Sequence, residues 1–103
     1  MAEFQDVAAL DDIEQGVPFA LTIDGVQVIL CRDGEEVYAV EDRCSHMDVK
    51  LRTGSLEGAE ITCKAHGARF DLKSGKALCM PAVTPIKTYE AQVEAGRVLV
   101  ALS

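Results

Sequence analysis

Two short stretches, Cys44-Ser45-His46 and Cys63-Lys64-Ala65-His66, constrain this chain more than any other feature. They read Cys-x-His, sixteen intervening residues, then Cys-x-x-His, and they hold both histidines of the protein and two of its four cysteines. Two soft thiolates and two imidazoles suit either zinc or an iron–sulfur centre of mixed ligation. Any fold of this chain must bring the two stretches face to face.

Composition limits what can do this. The 103 residues make one domain, because domains typically run to roughly 100–150 residues. A chain of this size buries only about two-thirds of its unfolded surface, so a bound metal centre adds useful stability. The net charge of −7 argues against nucleic acid, whose phosphates require a cationic surface. Met1 to Leu10 carries Glu3 and Asp6 but no basic residue, unlike a signal or transit peptide. No apolar run approaches the roughly 18 residues of a membrane span. A cytoplasmic, reducing location is therefore expected, with no membrane partner, and there clustered Cys and His indicate metal rather than disulfides.

The rest of the chain reads as short strands. Phe4 to Ala8 alternates apolar and polar residues and predicts a first strand; Ala9 to Gln15 is a helical turn or loop. Strands are predicted over Phe19–Ile23, Val26–Cys31 and Glu36–Glu41, joined by turns at Asp24-Gly25 and Asp33-Gly34 into an antiparallel meander. From Asp42 to about Thr84 the pattern is loop-rich, punctuated by Gly54, Gly58, Gly67 and Gly75. Short strands at Glu60–Thr62 and Ala68–Asp71 flank the second motif, Lys73–Lys76 is a turn, and Met80 to Pro85 is an irregular proline-restricted loop. Ile86–Val93 and Arg97–Leu102 form a closing hairpin around Glu94-Ala95-Gly96. The expectation is an all-β single domain: an antiparallel sandwich or barrel body (1–41 and 85–103) with an inserted loop-rich, cluster-binding subdomain (42–84).

In a mixed-ligand [2Fe–2S] centre one iron takes two cysteine sulfurs and the other two histidine nitrogens. Each motif then sends neighbouring residues to different irons, which a tight loop does more readily than one face of a helix or strand. A zinc site with the same four ligands is the rival reading, but structural zinc usually groups like residues as C-x₂₋₄-C and H-x₃₋₅-H. Here the pairs are mixed and Cys-x-His is shorter. Unliganded, merely buried histidines would not need to follow cysteines at these spacings.

With these residues in view, Cys44-Ser45-His46 and the run Cys63 to Asp71 resemble the two cluster-binding loops of Rieske proteins. The chain length, Gly75-Lys76-Ala77-Leu78 and Pro81 are similar to the ferredoxin components of bacterial aromatic-ring-hydroxylating dioxygenases, such as biphenyl or toluene dioxygenase. The resemblance implies the Rieske fold and one Rieske-type [2Fe–2S] cluster on Cys44, His46, Cys63 and His66. It implies a carrier, not an enzyme, moving single electrons from a flavoprotein ferredoxin reductase to a terminal Rieske oxygenase; a monomer is expected. A zinc-stabilised interaction module and a redox-sensing Rieske-like regulatory domain are the alternatives. High-potential Rieske proteins carry an extra, disulfide-linked cysteine in each loop, where this chain has Val49 and Ala65. They place serine and tyrosine where it has Ala68 and Phe70. Without those hydroxyl donors to sulfur, the potential is expected at the low end of the Rieske range of about −150 to +300 mV. Oxygenase activity is excluded, since a mononuclear iron site normally requires two further histidines and a carboxylate, and the aromatic residues of the oxygenase second loop are replaced by Ala65 and Ala68.

Other residues carry weaker expectations. Cys31 is read as a small buried hydrophobe, and Cys79 as a residue packed near the cluster, with a disulfide between them disfavoured by the compartment. Arg69 and Asp71 form an ion pair or stay solvated, and Asp11, Asp12 and Glu14 form a solvated acidic face. Met47, which stands where many relatives have a small residue, is expected to join Pro81, Ala82 and Val83 in an apolar docking rim. Residues 42–80 carry seven Lys/Arg and five Asp/Glu, against three and twelve in the remainder. A slightly basic tip on an acidic body is a dipole that would steer the molecule tip-first toward partners with acidic rims through a small, weak interface.

Overall fold

The apolar run Val28-Ile29-Leu30-Cys31 lacks the alternation of its neighbours because it serves two cores. In the computed structural model, which describes residues 3–43, 50–64, 67–78 and 85–102, it lies in the third of nine strands. These are β1 (Phe4–Ala9), β2 (Phe19–Ile23), β3 (Val26–Asp33), β4 (Glu36–Glu41), β5 (Ser55–Glu57), β6 (Glu60–Thr62), β7 (Arg69–Asp71), β8 (Thr88–Glu94) and β9 (Arg97–Ala101). Six of them form an antiparallel sheet in the order β1-β9-β8-β4-β3-β2, curled into a nearly closed barrel. The short strands β5, β6 and β7 form a second antiparallel sheet.

Val28 and Leu30 point into the barrel with Val37, Ala39, Val98 and Val100. Ile29 and Cys31, one residue out of phase, point the other way and pack with Val40, Ile61, Phe70 and Leu72 beneath the small sheet. A strand buried on both faces reads as a continuous apolar run, whereas β8 (Thr-Tyr-Glu-Ala-Gln-Val-Glu), with one face in solvent, alternates. The expected all-β fold and meander are therefore present.

The turns show where local chemistry prevails. Asp24 and Gly25 both have positive φ (50° and 82°), as a two-residue hairpin turn that accepts Asp-Gly requires. The next turn falls one residue later than expected. Asp33 is still in β3, paired with Glu36, and the loop residues are Gly34 and Glu35. Glycine at the first loop position takes the positive φ (66°), and Arg32 Nε and Gln15 Oε1 bond to the Gly34 carbonyl and N–H. The final turn narrows to Ala95-Gly96, because Glu94 pairs with Arg97. β5 and the 3-10 turn Leu51–Thr53 extend the expected pattern, the 3-10 turn Leu10–Asp12 falls within the expected helical turn or loop of Ala9 to Gln15, and β8 starts at Thr88, two residues after the expected Ile86.

Gly75 shows how tightly the small sheet is joined to the returning chain. Ile86 N–H donates to the Gly75 carbonyl at 2.8 Å, and a Cβ on Gly75 would stand 2.2 Å from the Ile86 oxygen. Gly34 shares the left-handed backbone but has open space around it. Gly34→Ala should therefore cost only the backbone penalty of about 1–2 kcal/mol, and Gly75→Ala a further ~1–3 kcal/mol from overpacking, as measured by urea denaturation.

Cys31 is a free thiol, 1% exposed. Burial, followed by the nearby Asp42 carboxylate, pushes its pKa from 9.0 up to about 12. The native state thus keeps a proton that the unfolded chain releases, so this contribution to stability is intact below pH 9 and is lost as pH rises toward 12. Iodoacetamide at mildly alkaline pH should leave Cys31 unmodified in the folded protein by peptide mapping. Cys31→Ala should flatten part of the alkaline decline in unfolding free energy; Tyr38, whose hydroxyl donates to Glu36, titrates in the same window and supplies another part.

Candidate metal centre

Of the four expected ligands, Cys63 is described by the structure; Cys44, His46 and His66 lie outside the described residues, as do Met47, Val49, Ala65, Cys79, Pro81, Ala82 and Val83. What the structure does show is how each motif is held at its ends.

β6 exists because Ile61 has an apolar partner. Ile61 pairs with Phe70 across β6 and β7 on the buried face, while Glu60, Thr62, Arg69 and Asp71 face outward. Arg69 makes its ion pair with Glu60, at 3.6 Å, not with Asp71. Asp71 instead accepts bonds from the Ser74 N–H and hydroxyl, which hold its carboxyl below the usual range and shape the turn after β7. Just beyond the pairing, Cys63 N–H donates to the Ala68 carbonyl at 2.6 Å, with Gly67 at φ 71° closing the turn. The bond pinches the Cys-x-x-His stretch at its base. Cys63 is 1% exposed and shares its apolar cluster with Ala68 and Phe70, both fully buried.

The first motif is bracketed by Asp42 and Arg52. The Asp42 carboxylate, buried to 0% side-chain exposure, accepts Arg52 Nε at 2.6 Å and Arg52 N–H at 2.9 Å. Asp42 N–H in turn donates to Gln27 O of β3 at 3.1 Å. Leu51, fully buried, plugs the same apolar cluster as Cys63. Gly54 comes so near Thr62 that a Cβ would stand 2.3 Å from its carbonyl, which sets the chain after Arg52 directly against the residue preceding Cys63. Asp42 and Arg52 carried no expectation from sequence; no spacing rule marks an acid and a base ten residues apart.

A third segment, 79–84, is closed by Leu78 N–H donating to Arg69 O and by the Ile86–Gly75 bond, both 2.8 Å. Both motifs and this segment thus leave and return over one apolar cluster. The expected donor set has the softness of an iron–sulfur site, and the bond from Cys63 to Ala68 brings the two ends of the second motif together, as a tight loop demands. The residues fit a [2Fe–2S] group.

Residues 3–90 match the Rieske [2Fe-2S] domain. The chain is 40% identical over 98 residues to the ferredoxin component of the naphthalene 1,2-dioxygenase system of Pseudomonas putida, covering 95% of this chain and 94% of that one. In structure it is similar to the ferredoxin of carbazole 1,9a-dioxygenase from Nocardioides aromaticivorans IC177, with a TM-score of 0.93 at 36% identity over 99% and 100% of the two chains. It also matches a chain in the complex of reduced oxygenase and oxidized ferredoxin of carbazole 1,9a-dioxygenase, with a TM-score of 0.87 at 31% identity over 95% and 92%. The zinc reading is thereby set aside: the chain belongs to the Rieske [2Fe–2S] family, among the ferredoxin components of dioxygenase systems.

Proposed function

We propose that this chain is a soluble, monomeric one-electron carrier that takes electrons from a flavoprotein reductase and delivers them to the terminal oxygenase of an aromatic-ring dioxygenase system. The observation that carries the reading is the near end-to-end match, in both chains, to a dioxygenase ferredoxin component. A carrier and not a catalyst is what such a component is. Cys44 and Cys63 bind one iron, and His46 and His66 the other. The cluster supplies a site that accepts and returns one electron. The protein supplies the rest: Cys63 is fixed in a pinched turn, and Ala68 and Phe70 exclude water from its side of the site without offering a hydroxyl. The division into a body, 1–41 and 85–103, and a cluster-binding part, 42–84, is supported by the separate sheet of β5, β6 and β7. A reducing cytoplasm suits the free thiol of Cys31, and no helix among the described residues is long and apolar enough to cross a membrane.

Purified protein should be red-brown, contain iron and sulfide in equal amounts, and give a rhombic EPR signal on reduction. Cys63→Ser should abolish the native signal. Colourless protein containing zinc would refute the proposal, and a coloured protein unable to support turnover between any reductase and oxygenase of this class would favour the regulatory reading.

The buried pair Ala68 and Phe70 makes the potential adjustable. Ala68→Ser with Phe70→Tyr should raise the midpoint potential in voltammetry, by roughly 60–130 mV for each bond formed to sulfur, the one-electron equivalent of the ~1.5–3 kcal/mol of a hydrogen bond to a charged group. An unchanged value in a variant whose structure shows both bonds to sulfur would remove the tuning argument.

A further inference from the structure

Asp42 is the one fully buried charged side chain among the described residues. A buried carboxylate is tolerated only when its charge is met by a cation and its lone pairs by donors. Among the described residues both demands are met by Arg52, through its guanidinium and its backbone N–H. Charge-assisted bonds of this kind are the strong ones. Their placement is more telling than their strength. Asp42 stands two residues before Cys44, at the end of β4, and its own N–H is tied to Gln27 of β3. Arg52 lies in the 3-10 turn that carries the buried Leu51, and the chain beyond it packs on Thr62, next to Cys63. The pair therefore joins the barrel, the two ends of the Cys44–His46 segment and the base of the Cys63–His66 turn.

We infer that Asp42 and Arg52 are positioning residues for the cluster: a buried clamp that holds the Cys44–His46 segment in register with the Cys63–His66 turn. The inference rests on the reading of Cys44 and His46 as ligands. A clamp differs from a general stabiliser in what it protects. Loss of an ordinary buried ion pair lowers the melting temperature. Loss of this one also loosens two of four ligands in the folded protein, so the cluster leaves without global unfolding and its ligand geometry becomes heterogeneous.

The test compares holoprotein of wild type, Asp42→Asn, Arg52→Ala and a control, Asp6→Asn, which breaks the exposed Asp6–Arg97 pair of the body. Cluster release to excess EDTA is followed by visible absorbance well below each melting temperature, with EPR linewidths recorded on the reduced, frozen samples. Release should be about tenfold faster in both clamp variants, the factor expected from the loss of one charge-assisted bond, with broadened EPR features in both and neither change in the control. Arg52→Lys, which keeps the charge and a donor, should recover part of the loss. A purely electrostatic role would shift the potential in opposite directions in Asp42→Asn and Arg52→Ala and leave release alone; that result overturns the clamp. Release equal to wild type in Asp42→Asn, the milder variant because it leaves no buried charge unpaired and frees only a partly exposed guanidinium, overturns it even if Arg52→Ala fails to fold, and so does acceleration in the control. Wild-type protein without a [2Fe–2S] cluster would instead refute the underlying reading of the ligands.

Discussion

The contact of Ile61 and Phe70 with Ile29, Cys31 and Val40 is the joint on which the molecule depends. It fastens a sheet of three-residue strands, too short to persist alone, onto the outer surface of a barrel. Each fully buried aliphatic or aromatic side chain contributes about 1.5–3 kcal/mol relative to exposure, so the few at this joint are enough to keep the small sheet from fraying. The described residues that frame the candidate centre are hung from it: Cys63, Leu51 and the returning chain at Ile86 all enter the same cluster. The barrel would fold around Val28, Leu30, Val98 and Val100 with or without that cap; the cap has no core except the one it borrows.

Much of this was legible in the residues because the relevant signals are local. Asp24-Gly25 marks a hairpin by backbone preference alone, and the largely apolar run Val26 to Cys31 marks a strand, whose burial on both faces only the packing of the two clusters shows. The Cys-His pairs carried their chemistry in their spacing, and with it the family. What escaped depends on partners distant in space. Gly34 takes the first loop position because Gln15 and Arg32 hold it there, so the second turn is displaced by one residue. β5 is three residues long and owes its extended form to pairing with β6, not to its own sequence. Arg69 chose Glu60 on the neighbouring strand over Asp71 on its own, a diagonal pairing that only the register of β6 and β7 determines. The Asp42–Arg52 pair was invisible for the same reason.

The electrostatic layout acquires a structural setting. Asp42 is neutralised by Arg52, while Asp11, Asp12 and Glu14, expected as a solvated acidic face, are indeed exposed. Twelve of the seventeen Asp/Glu lie outside residues 42–80, and seven of the ten Lys/Arg lie within them, around the small sheet. Backbone position separates two similarly buried cysteines: Cys63, the proposed ligand, sits at the base of a turn, whereas Cys31, a strand residue of the same apolar cluster, is kept protonated by burial.

The three segments that leave and return over the Ile61–Phe70 joint are each fastened at both ends by hydrogen bonds of the described frame: Asp42 to Arg52, Cys63 to Ala68, and Leu78 and Ile86 to Arg69 and Gly75. Once the ends of an excursion are fixed, the entropy of closing it grows only with the logarithm of its length, about 0.6 kcal/mol for each doubling. Insertions and exchanges between the fastenings therefore cost the fold little. A frame of this kind lets residues between its fastenings, other than the proposed ligands, diverge to suit one redox partner or another while the barrel stays unchanged.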